Sequence, residues 1–209
     1  PDHEADCFCV TRKTETDQPP SMQEGAMVGS FKGVYPLETT GKKGKKHFML
    51  IDSGTILEQV RKASVMLKED FGVTSETLSA PSFNELGRDA QDCERHNRLN
   101  PLEDVKTPYV TEVLNNTSGP IIAATDYMKS YAEQVRAFVP RSYTVLGTDG
   151  FGRSDSRKNL RRFFEVDANH IAAAAMTALY RDGSVTKKDL TAALEKYEID
   201  GTKPNPRLS

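Results

Sequence analysis

The sequence predicts an α/β fold, a three-layer α/β/α arrangement with a mainly parallel sheet covered on both faces. Three observations carry this. Short apolar runs of β-leaning composition alternate with helical patterns of about 10–15 residues. The alternation keeps no fixed period, which excludes a solenoid. A strand-like run, Tyr143–Leu146, passes through Gly147, Gly150 and Gly152 into a helix opened by Ser154 and Ser156. That helix carries Arg157, Lys158, Arg161 and Arg162 as two basic pairs spaced i,i+4. A strand, a glycine loop and a hydroxyl-opened helix are where a doubly wound α/β domain builds a site or a subunit contact.

Taken in order, residues 1–30 read as the tail of a preceding unit plus a linker. Cys7–Thr11 suits a strand, Pro19-Pro20 breaks the chain, and residues 21–30 are small and polar. The domain proper is expected over 31–209. Its first strand is placed at Phe31–Leu37, with Pro36 suited to a strand end or an edge. The basic turn GKKGKK, 41–46, leads into a strand from His47 to Ile51. Thr55-Ile-Leu-Glu58 has the form of a capping box, opening a helix that should stop near Gly72. Thr77–Ala80 is strand-like, and Ser82-Phe-Asn-Glu85 is a second capping box for a polar helix running to about Leu99. A short helix is expected over Pro108–Leu114 and a buried strand over Pro120–Ala124. Thr125 or Asp126 should then cap a helix reaching Val139. An alanine-rich helix over 167–182 ends at Gly183, Thr186 caps a last helix over 187–198, and the tail from Gly201 should be extended.

Composition excludes several classes. The chain has 209 residues, 37% hydrophobic and 28% charged, enough to bury a real core. A net charge of −2 gives no overall pull toward nucleic acid or an anionic membrane. No apolar run approaches the ~20 residues needed to span a bilayer. Three cysteines argue against a disulfide framework and for a reducing compartment, the cytoplasm. The sequence opens at Pro1 without a methionine and reads as an excised or processed piece.

The candidate chemistry is thin. Gly150-Phe-Gly152 completes neither the GxGxxG nor the GxxxxGK[ST] pattern, so a tight turn that brings helix to sheet is preferred over phosphate binding. Arg153 and Arg157 keep anion contact open, whether the anion is a ligand or a partner's carboxylate. The candidate interface or anion-contact loop is therefore Asp149, Gly150, Gly152, Arg153, Ser154, Asp155 and Arg157. Cys93 with His96, and Cys7 and Cys9 with His3, lack the further ligands a metal needs. His47 and His170 are isolated. Asp89, Asp92 and Glu94 read as a solvated or interface face, and the lysines of 42–46 as a solvated turn. No serine stands in a GxSxG elbow.

Long segments nevertheless resemble one family. They are EG…KGVYPLET at 24–39, DSGTILEQVRKA at 52–63, SFNELGRDAQDCERHNRLNPLE at 82–103, ATDYMKSYAEQVRAFVP at 124–140, VLGTDGFGRSDSRKNLRRFFEVDA at 145–168, and the closing NPRLS. With them the chain resembles the C-terminal domain of the homodimeric, bacterial-type pyruvate dehydrogenases, transketolase-like enzymes dependent on thiamine diphosphate. The resemblance implies a mostly parallel five-stranded sheet of the transketolase C-terminal type. It also implies a parent enzyme that decarboxylates pyruvate and passes the acetyl unit to lipoyl groups. Thiamine diphosphate and magnesium would be held by domains outside this chain, so no catalytic, cofactor-binding or metal residue is carried onto it. The implied partners are the rest of the subunit, a second subunit and the dihydrolipoyl acyltransferase core, in the bacterial cytoplasm. The alternative is a stand-alone α/β binding or regulatory module derived from a transketolase-like enzyme.

Overall fold

The computed structural model describes residues 26–42 and 44–209; the strand expected at Cys7–Thr11 lies outside them. A five-stranded sheet runs in the order β1-β3-β2-β4-β5, with β1 Tyr35–Thr40, β2 His47–Ser53, β3 Thr74–Ser79, β4 Ile121–Thr125 and β5 Tyr143–Leu146. β3, β2, β4 and β5 are mutually parallel, and β1 pairs antiparallel to β3 at one edge. Every residue of β2 and β4 is buried, as strands covered on both faces must be. Alternation sends Phe48 and Leu50 into one core cluster and Met49 and Ile51 into the other. The helices α2 Leu57–Phe71, α7 Ala168–Arg181 and α8 Lys187–Lys196 cover the first face; α3 Phe83–Leu99, α4 Tyr109–Asn115 and α5 Lys129–Glu133 cover the second.

The strand expected at Phe31–Leu37 is displaced. Ala26–Phe31 form a helix, α1, in place of the linker expected over those positions, and the strand begins only at Tyr35. The backbone N–H groups of Lys32 and Val34 donate to Val28 and Gly29, closing the helix before the strand starts. Phe31 thus ends the helix and Val34 lies in the connection before the strand, Phe31 exposed and Val34 buried. Pro36 does lie on the edge strand, beside a register shift between Pro36 and Glu38.

Three of the expected caps form. Ser82 accepts from the Glu85 N–H at 3.2 Å, Ser156 from that of Asn159 at 3.3 Å, and Thr186 forms a full capping box with Asp189. Gly72 closes α2 in the left-handed region. Two expected caps are replaced. Thr55 and Glu58 form no capping box: a single 3-10 turn, Gly54–Ile56, feeds α2 instead, and the Thr55 hydroxyl donates to Asp126 at 2.9 Å. The helix expected to run from Thr125 to Val139 is short, Lys129–Glu133, followed by a 3-10 turn at Arg136–Phe138. Asp149, from the loop after β5, accepts from its Lys129 N–H at 2.8 Å. Asp89, expected on a solvated or interface face, accepts from the Tyr109 N–H at 2.7 Å and so caps α4. The alanine run of α7 is buried against α2 and the sheet. The tail is turned rather than extended, with a Leu208 N–H to Asn205 bond and Pro206 buried.

Asp167 opens α7. Its carboxylate accepts from the His170 N–H at 2.9 Å and meets the His170 ring at 2.6 Å. Burial pushes this carboxyl up, but the bonds from His170 and the charge of Arg162 outweigh it and hold the group below its ordinary value. The folded value is lowered, so its stabilisation is present above the unfolded value of about 3.9 and is lost as pH falls through the folded one. Asp167→Ala is expected to cost about 1–2 kcal/mol at pH 7, a deficit that shrinks below about pH 4. Thermal unfolding across pH checks it; a deficit of equal size at pH 2 contradicts it.

Candidate functional site

Because β2, β4 and β5 are parallel, the loops that follow them share one edge of the sheet. These loops are bonded to one another. The Thr148 N–H donates to the Tyr127 carbonyl at 2.9 Å, and the Thr148 hydroxyl to that of Asp126 at 2.7 Å. Together with Thr55–Asp126 and Asp149–Lys129, these bonds bring residues far apart in sequence into one constellation.

The expected loop residues fall on that edge and do different work. Asp149 is committed to the cap of α5. Gly150, at φ +112°, turns against the C-terminal tail. Gly152 has open space around it. Phe151 is 84% exposed; Tyr127 and Met128 beside the loop are 59% and 60% exposed, an apolar patch at the sheet's carboxyl edge. The Arg153 guanidinium lies 4.2 Å from the centre of the Phe163 ring, a cation–π contact. Ser156, not Ser154, caps helix α6, Arg157–Phe163. Asp155 accepts from the Asn159 side chain at 2.8 Å and the Ser156 N–H at 2.6 Å, which hold its carboxyl below the ordinary value. Arg161 pairs with Glu58 at 3.7 Å and donates to the Thr55 carbonyl at 3.2 Å. Arg157 makes no hydrogen bond or ion pair among the described residues. Between these groups and the sheet lies a cavity of about 330 Å³, lined among others by Thr55, Ile56, Asp126, Leu160, Phe164 and Val166.

Sequence reasoning missed the acidic pair at this edge. Asp52, the penultimate residue of β2, is 1% exposed, and its Oδ1 has no hydrogen-bond partner among the described residues. Burial, then the charge of Asp126, pushes the Asp52 carboxyl well above its ordinary value, while the Ser53 N–H works the other way. A carboxyl side chain closing the apolar run Phe-Met-Leu-Ile was the available signal. Since the folded value is raised, the stability tied to Asp52 is full below the unfolded value of about 3.9 and is lost as pH rises through the folded value. Asp52→Asn, which carries no charge to bury, is expected to be more stable than the parent at pH 7 by at least about 1 kcal/mol. The two should converge by about pH 4. Denaturant melts at both pH values decide, and a variant weaker than the parent at pH 7 contradicts this.

The other candidates stand apart from the edge. His96 pairs with Glu103 at 3.4 Å and meets Asn100, so it does not join Cys93 in a ligand set. Among the described residues no three His, Cys, Asp or Glu side chains cluster to hold a metal. Cys7, Cys9 and His3 lie outside the described residues. No helix among the described residues is long and apolar enough to cross a membrane.

A covered five-stranded sheet with one antiparallel edge strand defines an α/β domain of the transketolase C-terminal class. The chain belongs to the transketolase-like C-terminal domain family, whose match spans residues 33–167. Within it, the chain is similar to the C-terminal region of the bacterial pyruvate dehydrogenase E1 component. It is 50% identical to that of Escherichia coli (strain K12) over 204 residues, 97% of this chain and 22% of the relative. It is 49% identical to that of Pseudomonas aeruginosa (strain PAO1) over 200 residues, 95% of this chain and 23% of the relative. The chain thus spans about a fifth of the length of these relatives. Among solved structures, transketolase from Pichia stipitis, in complex with sedoheptulose-7-phosphate, shares the fold at TM-score 0.54 and 17% identity, covering 78% of this chain and 20% of that one.

Among the described residues, those at this edge do not fit thiamine diphosphate with its magnesium. The carboxylate of the Thr148-Asp149-Gly150 turn is spent on the Lys129 N–H, so it is not open to a magnesium ion. The paired asparagines 115 and 116 precede β4, whereas Asp149 follows β5. Those two strands are parallel, so the groups lie at opposite edges of the sheet.

Proposed function

We propose that this chain is the C-terminal domain of a thiamine-diphosphate-dependent pyruvate dehydrogenase, the component that decarboxylates pyruvate and hands the acetyl unit to lipoyl groups. The domain supports subunit and dimer assembly and is not catalytic alone. Thiamine diphosphate and magnesium are held by other domains of the same enzyme, and the cofactor supplies the carbanion chemistry there. The homodimer works with a dihydrolipoyl acyltransferase core in a multienzyme complex of the bacterial cytoplasm. The observation that carries this reading is 50% identity over nearly the whole chain to a region that is only 22% of the relative.

Residues 149–157 serve as a contact loop toward the second subunit or a neighbouring domain. What supports this is the exposed patch of Tyr127, Met128 and Phe151 beside the exposed Arg153, on loops bonded rigidly to one another. Buried aromatic and arginine anchors dominate such contacts. In the full-length enzyme, Phe151→Ser with Arg153→Ala is expected to weaken dimerisation or turnover by at least about tenfold, read by sedimentation and pyruvate-dependent acceptor reduction. Dimerisation and turnover both equal to the parent's would overturn the contact role.

A further inference from the structure

We propose that the crevice at the carboxyl ends of β2 and β4 binds a small organic carboxylate with a short apolar body. The placement follows from topology. The chain leaves β2 toward β3 with α2 on one face, and leaves β4 toward β5 with α5 on the other. At such a reversal the two windings part and open a crevice outside the strands' carboxyl ends, where open α/β sheets hold ligands. The cavity of about 330 Å³ lies on this edge, reached by Thr55 after β2, Asp126 after β4 and Thr148 after β5. Its size is that of a small-molecule site.

The lining chooses the ligand. Ile56, Leu160, Phe164 and Val166 give an apolar wall, and Arg153, Arg157 and Arg161 contribute guanidinium groups. Arg161 is already matched by Glu58 and Arg153 rests on Phe163. Arg157 has all its donors free of protein partners, a fork suited to a carboxylate. Asp126 also lines the crevice, and its Oδ2 already accepts from Thr55. Of the lining charges, Arg161 is matched by Glu58, which leaves the Arg153 and Arg157 guanidinium groups against the Asp126 carboxylate. The balance favours an anion, and the apolar wall favours one with a hydrocarbon body over an inorganic ion.

This inference stands apart from the contact role of the loop, because it is read on the 209-residue chain itself. The labelled chain is titrated with 3-methylbutanoate while its amide resonances are followed. Saturable shifts at Thr55, Asp126, Gly150 and Arg157 are expected, with a dissociation constant of about 1 mM. The neutral 3-methylbutanamide and inorganic phosphate should each bind at least about tenfold more weakly. Arg157→Ala should weaken 3-methylbutanoate about tenfold, and Asp126→Asn should tighten it. Arg157 is exposed and makes no internal bond, so its removal leaves the fold intact; Lys158→Ala on the same helix should leave binding unchanged. No saturable shift up to about 50 mM, equal binding of the amide, tighter binding of phosphate, or an unaffected Arg157→Ala would each overturn the proposal.

Discussion

Gly119→Ala is expected to destabilise the protein by about 3–5 kcal/mol. Gly119 sits at φ +77°, and a Cβ built on it would lie 1.9 Å from the carbonyl oxygen of His47, 2.7 Å from its carbonyl carbon and 3.1 Å from the Cα of Phe48. All three are backbone atoms of the central strand, so no side chain can rotate aside. The turn is held from both sides: Met49 donates to the Pro120 carbonyl at 2.9 Å, and the Arg141 Nε to that of Gly119 at 2.9 Å. Relieving the clash means moving β4 away from β2 where their pairing begins, at Met49 and Ile121. The left-handed backbone adds about 1 kcal/mol for an L-residue. Against a typical total of about 5–15 kcal/mol, little would remain. Denaturant midpoints should show this against Gly201→Ala, where a Cβ meets nothing within 4 Å and the change should stay within about 0.5 kcal/mol. A Gly119→Ala loss below about 1 kcal/mol would mean the close approach is not as described.

The second large effect falls on the functional edge. Gly150→Ala is expected to cost about 2–3 kcal/mol and to free the C-terminal tail. At φ +112° an L-residue is strained, and its Cβ would stand 2.6 Å from the carbonyl oxygen of Pro206 and 3.2 Å from the Cα of Arg207. Unlike the β2–β4 junction, the tail can move, which is why the cost is smaller. Lys203, which donates to the carbonyls of Arg162 and Phe163 and to Glu165 at 3.0 Å, holds the tail on its other side. The variant should therefore show faster amide exchange over 204–209 and 147–152 with the central strands unchanged. Exchange identical to the parent's at those segments would contradict this.

Most of the layer arrangement was legible because its signals are local. Short apolar runs placed β2 and β5, helical spacing placed α2 and alanine-rich composition α7, and Ser82, Ser156 and Thr186 each stand three residues before the N–H they accept from. What escaped depends on contacts between residues distant in sequence. Asp149 and Asp89 each cap a helix twenty residues away, and Thr55 turns from its own helix to Asp126, seventy-one residues on. Spacing cannot reveal such partners. The glycine loop stood out in the sequence, yet Asp52 behind it acquires its character only from the burial of β2. The family itself was legible from LGTDGFGRSDSR and its neighbouring segments, which are far more specific than any generic feature of the fold.

The most direct test is the mass and activity of the natural gene product. An antibody raised against this chain should detect, in cell extract, a polypeptide several times larger than 23.2 kDa. That polypeptide should co-purify as a dimer with pyruvate-dependent acceptor reduction that requires thiamine diphosphate and magnesium. A product near 23.2 kDa, inactive and separate from any larger thiamine enzyme, would contradict the assembly role and make the chain a stand-alone module.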